Sequence, residues 1–110
     1  MIRVLVVDDH HVVREGLALL LGAVDGIEVA GQAATGEEAV DLAARLHPDV
    51  VLMDLDMPGA GGLAAVAAVT RDEPGTRVLV LSMHADDVSV FRALRNGALG
   101  YLVKDATPRE

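Results

Sequence analysis

An open, doubly wound α/β fold is what this sequence predicts, on three observations. Short apolar runs rich in β-branched residues recur along the chain, at residues 2–7 (IRVLVV), 27–30, 49–53 (DVVLM), 77–81 (RVLVL) and 99–103. The first of these shows no clean in/out alternation, the pattern of a strand covered on both faces. Between the runs lie segments whose apolar residues return at helical spacing. Strands alternating with helices imply a parallel sheet carrying helices on both faces, joined by right-handed crossovers.

Each element has its own signal. The first strand is followed by Val13, Leu17, Leu20 and Leu21 at helical spacing, predicted to face inward, with Gly22 as the stop. The second strand, residues 27–30, is short. Thr35-Gly36-Glu37-Glu38 has the form of a capping box. It opens a helix that turns Ala39, Val40, Ala43 and Leu46 inward and closes before Pro48. The third strand ends at Asp54. A Pro-Gly loop, Pro58 to Gly62, leads into an alanine-rich helix around residues 63–69. After the fourth strand comes a helix with Val88, Phe91 and Leu94 on one side, ending near Asn96-Gly97. The fifth strand follows. Thr107-Pro108-Arg109-Glu110 is a second capping box with proline in the first helical position. It announces a helix most of which the sequence does not contain. Four aliphatic side chains buried by that helix would contribute roughly 6–12 kcal/mol. The expectation is therefore one domain over residues 1–110, lacking most of its last helix and any effector domain, with a sheet face left to a partner. The alternative is a frayed tail with accidental capping residues.

Composition narrows the function. At 110 residues the chain suits a single core. It is 52% hydrophobic but only 2% aromatic, so that core is aliphatic. Nine Lys and Arg against 17 Asp and Glu give a net charge of −8. That argues against direct contact with DNA, which calls for a basic stripe. The absence of cysteine excludes disulfides and thiolate metal sites. No stretch resembles a signal peptide, and no run approaches the ~20 apolar residues that span a bilayer. The expected location is the cytoplasm.

In a doubly wound sheet, function gathers beyond the carboxyl ends of the strands. Those ends carry Asp8 and Asp9, Asp54, Ser82 and Lys104. Three carboxylates in one crevice repel, by ~4 kcal/mol per pair at ~4 Å and an effective dielectric of ~20. Either one holds a proton or a cation lies among them. The strand-end ligands are all oxygens, which suits Mg²⁺ better than Zn²⁺. Each residue also has an ordinary reading. Asp8-Asp9 could be a turn and helix N-cap, Asp54 a loop opener, Ser82 a turn residue and Lys104 a solvated lysine. Four such accidents at one edge are less economical than one site.

The blocks VLVVDDHHVVREGL, VVLMDLDMPGAGG, VLVLSMHADD and GALGYLVKDATP resemble, in order and spacing, the signature blocks of response-regulator receiver domains. The third and fourth are most similar to the NarL/FixJ type. The resemblance covers residues 2–108. It implies a flavodoxin-like receiver fold, a five-stranded parallel sheet in the order 2-1-3-4-5. It also implies that Asp54 is the phosphoacceptor, taking a phosphoryl group from a sensor histidine kinase. Asp9 would bind Mg²⁺ directly, Asp8 through water, Asp54 through its carboxylate and Asp56 through its backbone carbonyl. Ser82 would hydrogen-bond a phosphoryl oxygen, and Lys104 would pair with the phosphate. Tyr101 would be the aromatic switch. The only catalysis expected is the chain's own phosphorylation and dephosphorylation. A homodimer on phosphorylation and DNA binding through an effector domain absent from this chain complete the expectation.

Two features depart from the common pattern. Asp56 adds a fourth carboxylate near the site, and His84 lies two residues after Ser82. Two rival readings stay open at this point. Asp54-Leu55-Asp56 also resembles the D-x-D motif of haloacid-dehalogenase-like phosphatases, although that motif follows the first strand of its fold. A receiver that docks partners without being phosphorylated is the other.

Overall fold

The computed structural model describes residues 1–55, 61–82, 95, 97, 98 and 100–103, with the side chains of residues 61, 82 and 101–103 outside that description. In chain order the elements are β1 (Ile2–Val7), α1 (His11–Gly22), β2 (Ile27–Ala33), α2 (Gly36–Leu46), β3 (Val50–Asp54), α3 (Gly61–Asp72), β4 (Arg77–Ser82) and β5 (Gly100–Val103). The five strands form one sheet in the order β2-β1-β3-β4-β5, and every neighbouring pair is parallel. This is the predicted topology. The chain order reverses direction between β1 and β3. Right-handed crossovers therefore place α1 on one face and α2 and α3 on the other.

The core lies mainly under α2 and α3. Alternate strand residues Leu5, Val7, Val51, Met53, Val78 and Val80 meet Ala39 and Ala43 of α2 and Ala65, Val66 and Val69 of α3. Alanines on the helices let them approach the sheet closely, which answers the scarcity of aromatic residues. Val4 and Val6, pointing the other way from β1, are also buried. Both faces of β1 are therefore covered, as its unbroken apolar sequence implies. On β3 and β4 the second face is less covered: Leu52, Leu79 and Leu81 are half-buried.

The capping box at Thr35 forms. Its Oγ1 accepts the Glu38 N–H at 3.0 Å, and Glu38 Oε1 accepts the Ala34 N–H at 2.7 Å. The reciprocal bond thus reaches one residue before the cap. The helix ends at His47, which takes the left-handed conformation at φ 48° just before Pro48.

Three local expectations need correction. Val13 and Leu20 do not face inward; they are 43% and 71% exposed, and no residue of α1 is fully buried. The helix rests on β1 and β2 through its half-buried Leu17 and Leu21. At 3.6 residues per turn, Leu20 lies ~100° around the helix from Leu21. The second strand runs to Ala33, three residues further than its apolar content suggests. Its ladder with β1 continues because backbone bonds tolerate Gly31 and Gln32. The register shifts by one residue there, Val4 pairing with Val29 and Leu5 with Gly31. Finally, α3 starts at Gly61, inside the expected loop. The helix carrying Val88, Phe91 and Leu94, the loop residue Pro58, and the capping residues Thr107 to Glu110 lie outside the described residues.

Candidate functional site

The acidic residues meet because their strands are neighbours. Val7 of β1 pairs with Met53 of β3, so Asp8 and Asp54, the next residues of each chain segment, emerge side by side. Both are fully buried. Asp8 still follows the sheet, its N–H donating to the Ala33 carbonyl at 3.0 Å. Asp54 is the last residue of β3, and the following Leu55 N–H donates to the Leu81 carbonyl at 3.0 Å.

The ordinary reading of Asp8-Asp9 as a helix cap does not hold. The N-cap of α1 is His10, and no side chain caps that helix. Instead Asp8 Oδ1 accepts the His10 N–H at 2.8 Å, which folds a tight turn and aims the pair back at the sheet end. Asp9 remains 27% exposed at its side chain. Its buried Oδ1 has no hydrogen-bond partner among the described residues. That oxygen lies 3.1 Å from His10 Nδ1, outside hydrogen-bonding geometry.

One donor atom each from Asp8, Asp9, His10 and Asp54 lies within 4.8 Å of the others. Three carboxylate oxygens this close call for positive charge. A hard divalent cation that keeps some of its waters suits such a set, and the partly exposed Asp9 leaves a mouth for those waters. The buried, unsatisfied Asp9 oxygen is the specific feature that such an ion would answer. Asp8, Asp9 and Asp54, three of the four metal residues expected from the sequence, are therefore brought together. His10 joins them and was missed. The strand-end rule stops where the strand stops, and His10 belongs to the turn beyond. Its adjacency to Asp9 was the available signal.

The remaining expected residues are seen only in part. Ser82 closes β4 one position beyond Leu81, the residue that pairs with Asp54. Tyr101 lies on β5 opposite Val80. The Ser82 backbone thus sits on the strand next to the acceptor strand and that of Tyr101 one strand further out; their side chains lie outside the described residues, as do Asp56, His84 and Lys104. No described helix is long and apolar enough to cross a membrane.

Comparison with known proteins agrees with this arrangement. Residues 4–110 match the model of the response regulator receiver domain. The response regulator GacA of Pseudomonas viridiflava is 48% identical over 106 residues, covering 96% of this chain and 50% of its own length. This chain spans about half the length of the curated relatives it matches. Among solved structures, the signal receiver domain of the putative response regulator NarL from Mycobacterium tuberculosis superposes with a TM-score of 0.89 at 42% identity, over 96% of this chain and 86% of that one. A response regulator from Burkholderia pseudomallei, solved with a phosphorylated aspartic acid, a calcium ion and citrate, gives 0.86 at 32% identity, over 97% and 62%. A family match over nearly the whole length, with a parallel sheet in the expected strand order and an acidic cluster at its carboxyl edge, makes this chain a member of the receiver-domain family of two-component response regulators, of the NarL/FixJ type.

Proposed function

We propose that Asp54 accepts a phosphoryl group from a phosphohistidine of a sensor histidine kinase in a Mg²⁺-dependent reaction, and that this event switches the domain. The observation that carries the reading is the buried Asp54 carboxylate with Asp8 and Asp9 donor atoms within 4.8 Å. The Burkholderia relative with its phosphorylated aspartate and bound calcium supports the same chemistry.

A carboxylate is a weak nucleophile, so transfer depends on positioning and charge neutralisation. A bound Mg²⁺ supplies positive charge to the transferring oxygens. Asp9 and Asp54 would hold it through carboxylate oxygens, Asp8 through water, and Asp56 through its backbone carbonyl. Asp54 Oδ forms the new bond to phosphorus as the nitrogen–phosphorus bond of the donor breaks, and the imidazole keeps the electron pair. Lys104 pairs with the phosphate, and the Ser82 hydroxyl donates to one of its oxygens. Movement of Ser82 leaves room for Tyr101 to turn inward, passing a local charge event to the surface of β5. Residues 1–110 act as the receiver and turn over no outside substrate. The output is transcriptional control through a DNA-binding domain elsewhere in the full-length protein, with phosphorylation favouring a homodimer in the cytoplasm.

Incubation with a small acyl phosphate and Mg²⁺, followed by intact mass, tests this. One phosphoryl group should be gained, and the gain should vanish without Mg²⁺ or in Asp54→Asn. Labelling that survives Asp54→Asn, or no labelling at all, refutes it.

A further inference from the structure

We infer that Arg14 is a positioning residue for the acidic pocket, holding the Asp8-Asp9 turn in its cation-binding shape. This rests on the reading of the pocket as a Mg²⁺ site. The guanidinium ties three elements together. Its Nη1 donates to the Asp8 backbone carbonyl at 2.9 Å, and its Nε donates to Gln32 Oε1 at 3.2 Å. Its Nη2 lies 3.1 Å from His11 Nδ1 in the first turn of α1. The backbone N–H of Arg14 also bonds the His10 carbonyl at 2.9 Å, so the residue is anchored where the turn enters the helix.

The contact to the Asp8 carbonyl matters most. That oxygen belongs to the peptide linking Asp8 to Asp9, so its direction fixes the plane from which the Asp9 side chain departs. No side chain caps α1, which leaves the turn dependent on Asp8 Oδ1 from within and on Arg14 from outside. A planar fork with fixed donors can hold a carbonyl and an amide oxygen at once; an ammonium on a flexible stem cannot do so equally well.

Positioning and simple charge predict opposite signs. A guanidinium next to an acidic pocket repels an incoming cation, so if charge were its whole effect, removing it would tighten Mg²⁺ binding. If it positions the turn, removing it weakens binding, as loss of supporting contacts does around other metal sites.

The test is calorimetric titration of Mg²⁺ into the metal-free chain, without any phosphodonor. Arg14→Met and Arg14→Lys should each weaken binding roughly tenfold, by analogy with other second-layer contacts. Gln32→Ala, which keeps the charge and alters only an exposed residue, should weaken it less, in the same direction. Because that last variant leaves the turn and helix intact, it carries the test should an Arg14 variant fail to fold. Tighter or unchanged binding in Arg14→Met, or wild-type binding in both Arg14→Lys and Gln32→Ala, overturns the assignment. Asp9→Asn separates the two claims. If it abolishes binding while the Arg14 and Gln32 variants bind as tightly as wild type, only the role of Arg14 falls. If wild type binds no Mg²⁺, or Asp9→Asn binds it equally well, the pocket reading falls and takes the role of Arg14 with it.

Discussion

Replacing Asp9 by asparagine should make the metal-free protein more stable. The donor oxygens of Asp8, Asp9 and Asp54 lie within 4.8 Å of one another. At that separation and an effective dielectric of about 20, each carboxylate pair repels by about 3.5 kcal/mol. Asp9 is 27% exposed at its side chain, so water and salt reduce its two repulsions to roughly 1 kcal/mol each. Losing the attraction to the nearby His10 ring offsets part of the gain. The net expectation is about 1–2 kcal/mol of added stability, and each kcal/mol is worth roughly 4–8 °C in Tm for a domain near this size. Urea denaturation in EDTA, repeated with saturating Mg²⁺, measures it. In EDTA the variant should unfold at higher urea. With Mg²⁺ the order should reverse, since an ion at a hundred times its Kd stabilises wild type by about 2.7 kcal/mol and the variant by much less. A variant that is less stable in EDTA, or that gains as much from Mg²⁺ as wild type, refutes the electrostatic account of the pocket.

Three further outcomes follow from packing and backbone geometry. Met53→Ala removes a fully buried side chain at the centre of the sheet and should cost about 2–5 kcal/mol by denaturant titration. Thr35→Ala deletes the cap acceptor for the Glu38 N–H and should cost about 1 kcal/mol, with early fraying of α2 visible as faster amide exchange. Gly97→Ala places a Cβ 2.5 Å from Thr70 Cγ2 on a residue at φ 111°, and should lose about 1–3 kcal/mol in a thermal melt. Truncating Thr70 to alanine in the same chain should recover only part of that loss, since it removes Cγ2 and Oγ1 but keeps the Thr70 Cβ at 2.8 Å and leaves the backbone part.

Topology was readable in the sequence because the signals for it are local and repeated. Unbroken β-branched runs gave β1, β3 and β4 within a residue at either end. The capping box at Thr35 located α2 to the residue. The end of β2 escaped because Gly31 and Gln32 carry no strand preference; there the ladder with β1 decides, and the partner strand cannot be seen in a local window. The orientation of α1 escaped for a related reason. Val13, Leu17, Leu20 and Leu21 fit one broad apolar face, and spacing alone does not say which part of it meets the sheet. In the site, Asp8, Asp9 and Asp54 were legible because strand ends in this architecture converge. His10 and Arg14 were not, since their parts depend on a turn and on hydrogen bonds made across elements.

The one-residue slip between β1 and β2 divides the outer strand into two stretches with different obligations. Up to Val29 the strand keeps step with Val4; from Gly31 it keeps step with Leu5, leaving Ala30 unmatched. A slip of this kind is rare between parallel strands. It holds Gln32 opposite Val6 and Ala33 opposite Val7, one place short of an unbroken count, where Ala33 receives the Asp8 N–H and Gln32 meets Arg14. The length of this strand is thus a tuning element. Counted straight from Val29 without that extra residue of slack, Gln32 would fall opposite Val7 and Ala33 opposite Asp8, one place past the partners they meet, so the irregular strand is the one compatible with a finished rim.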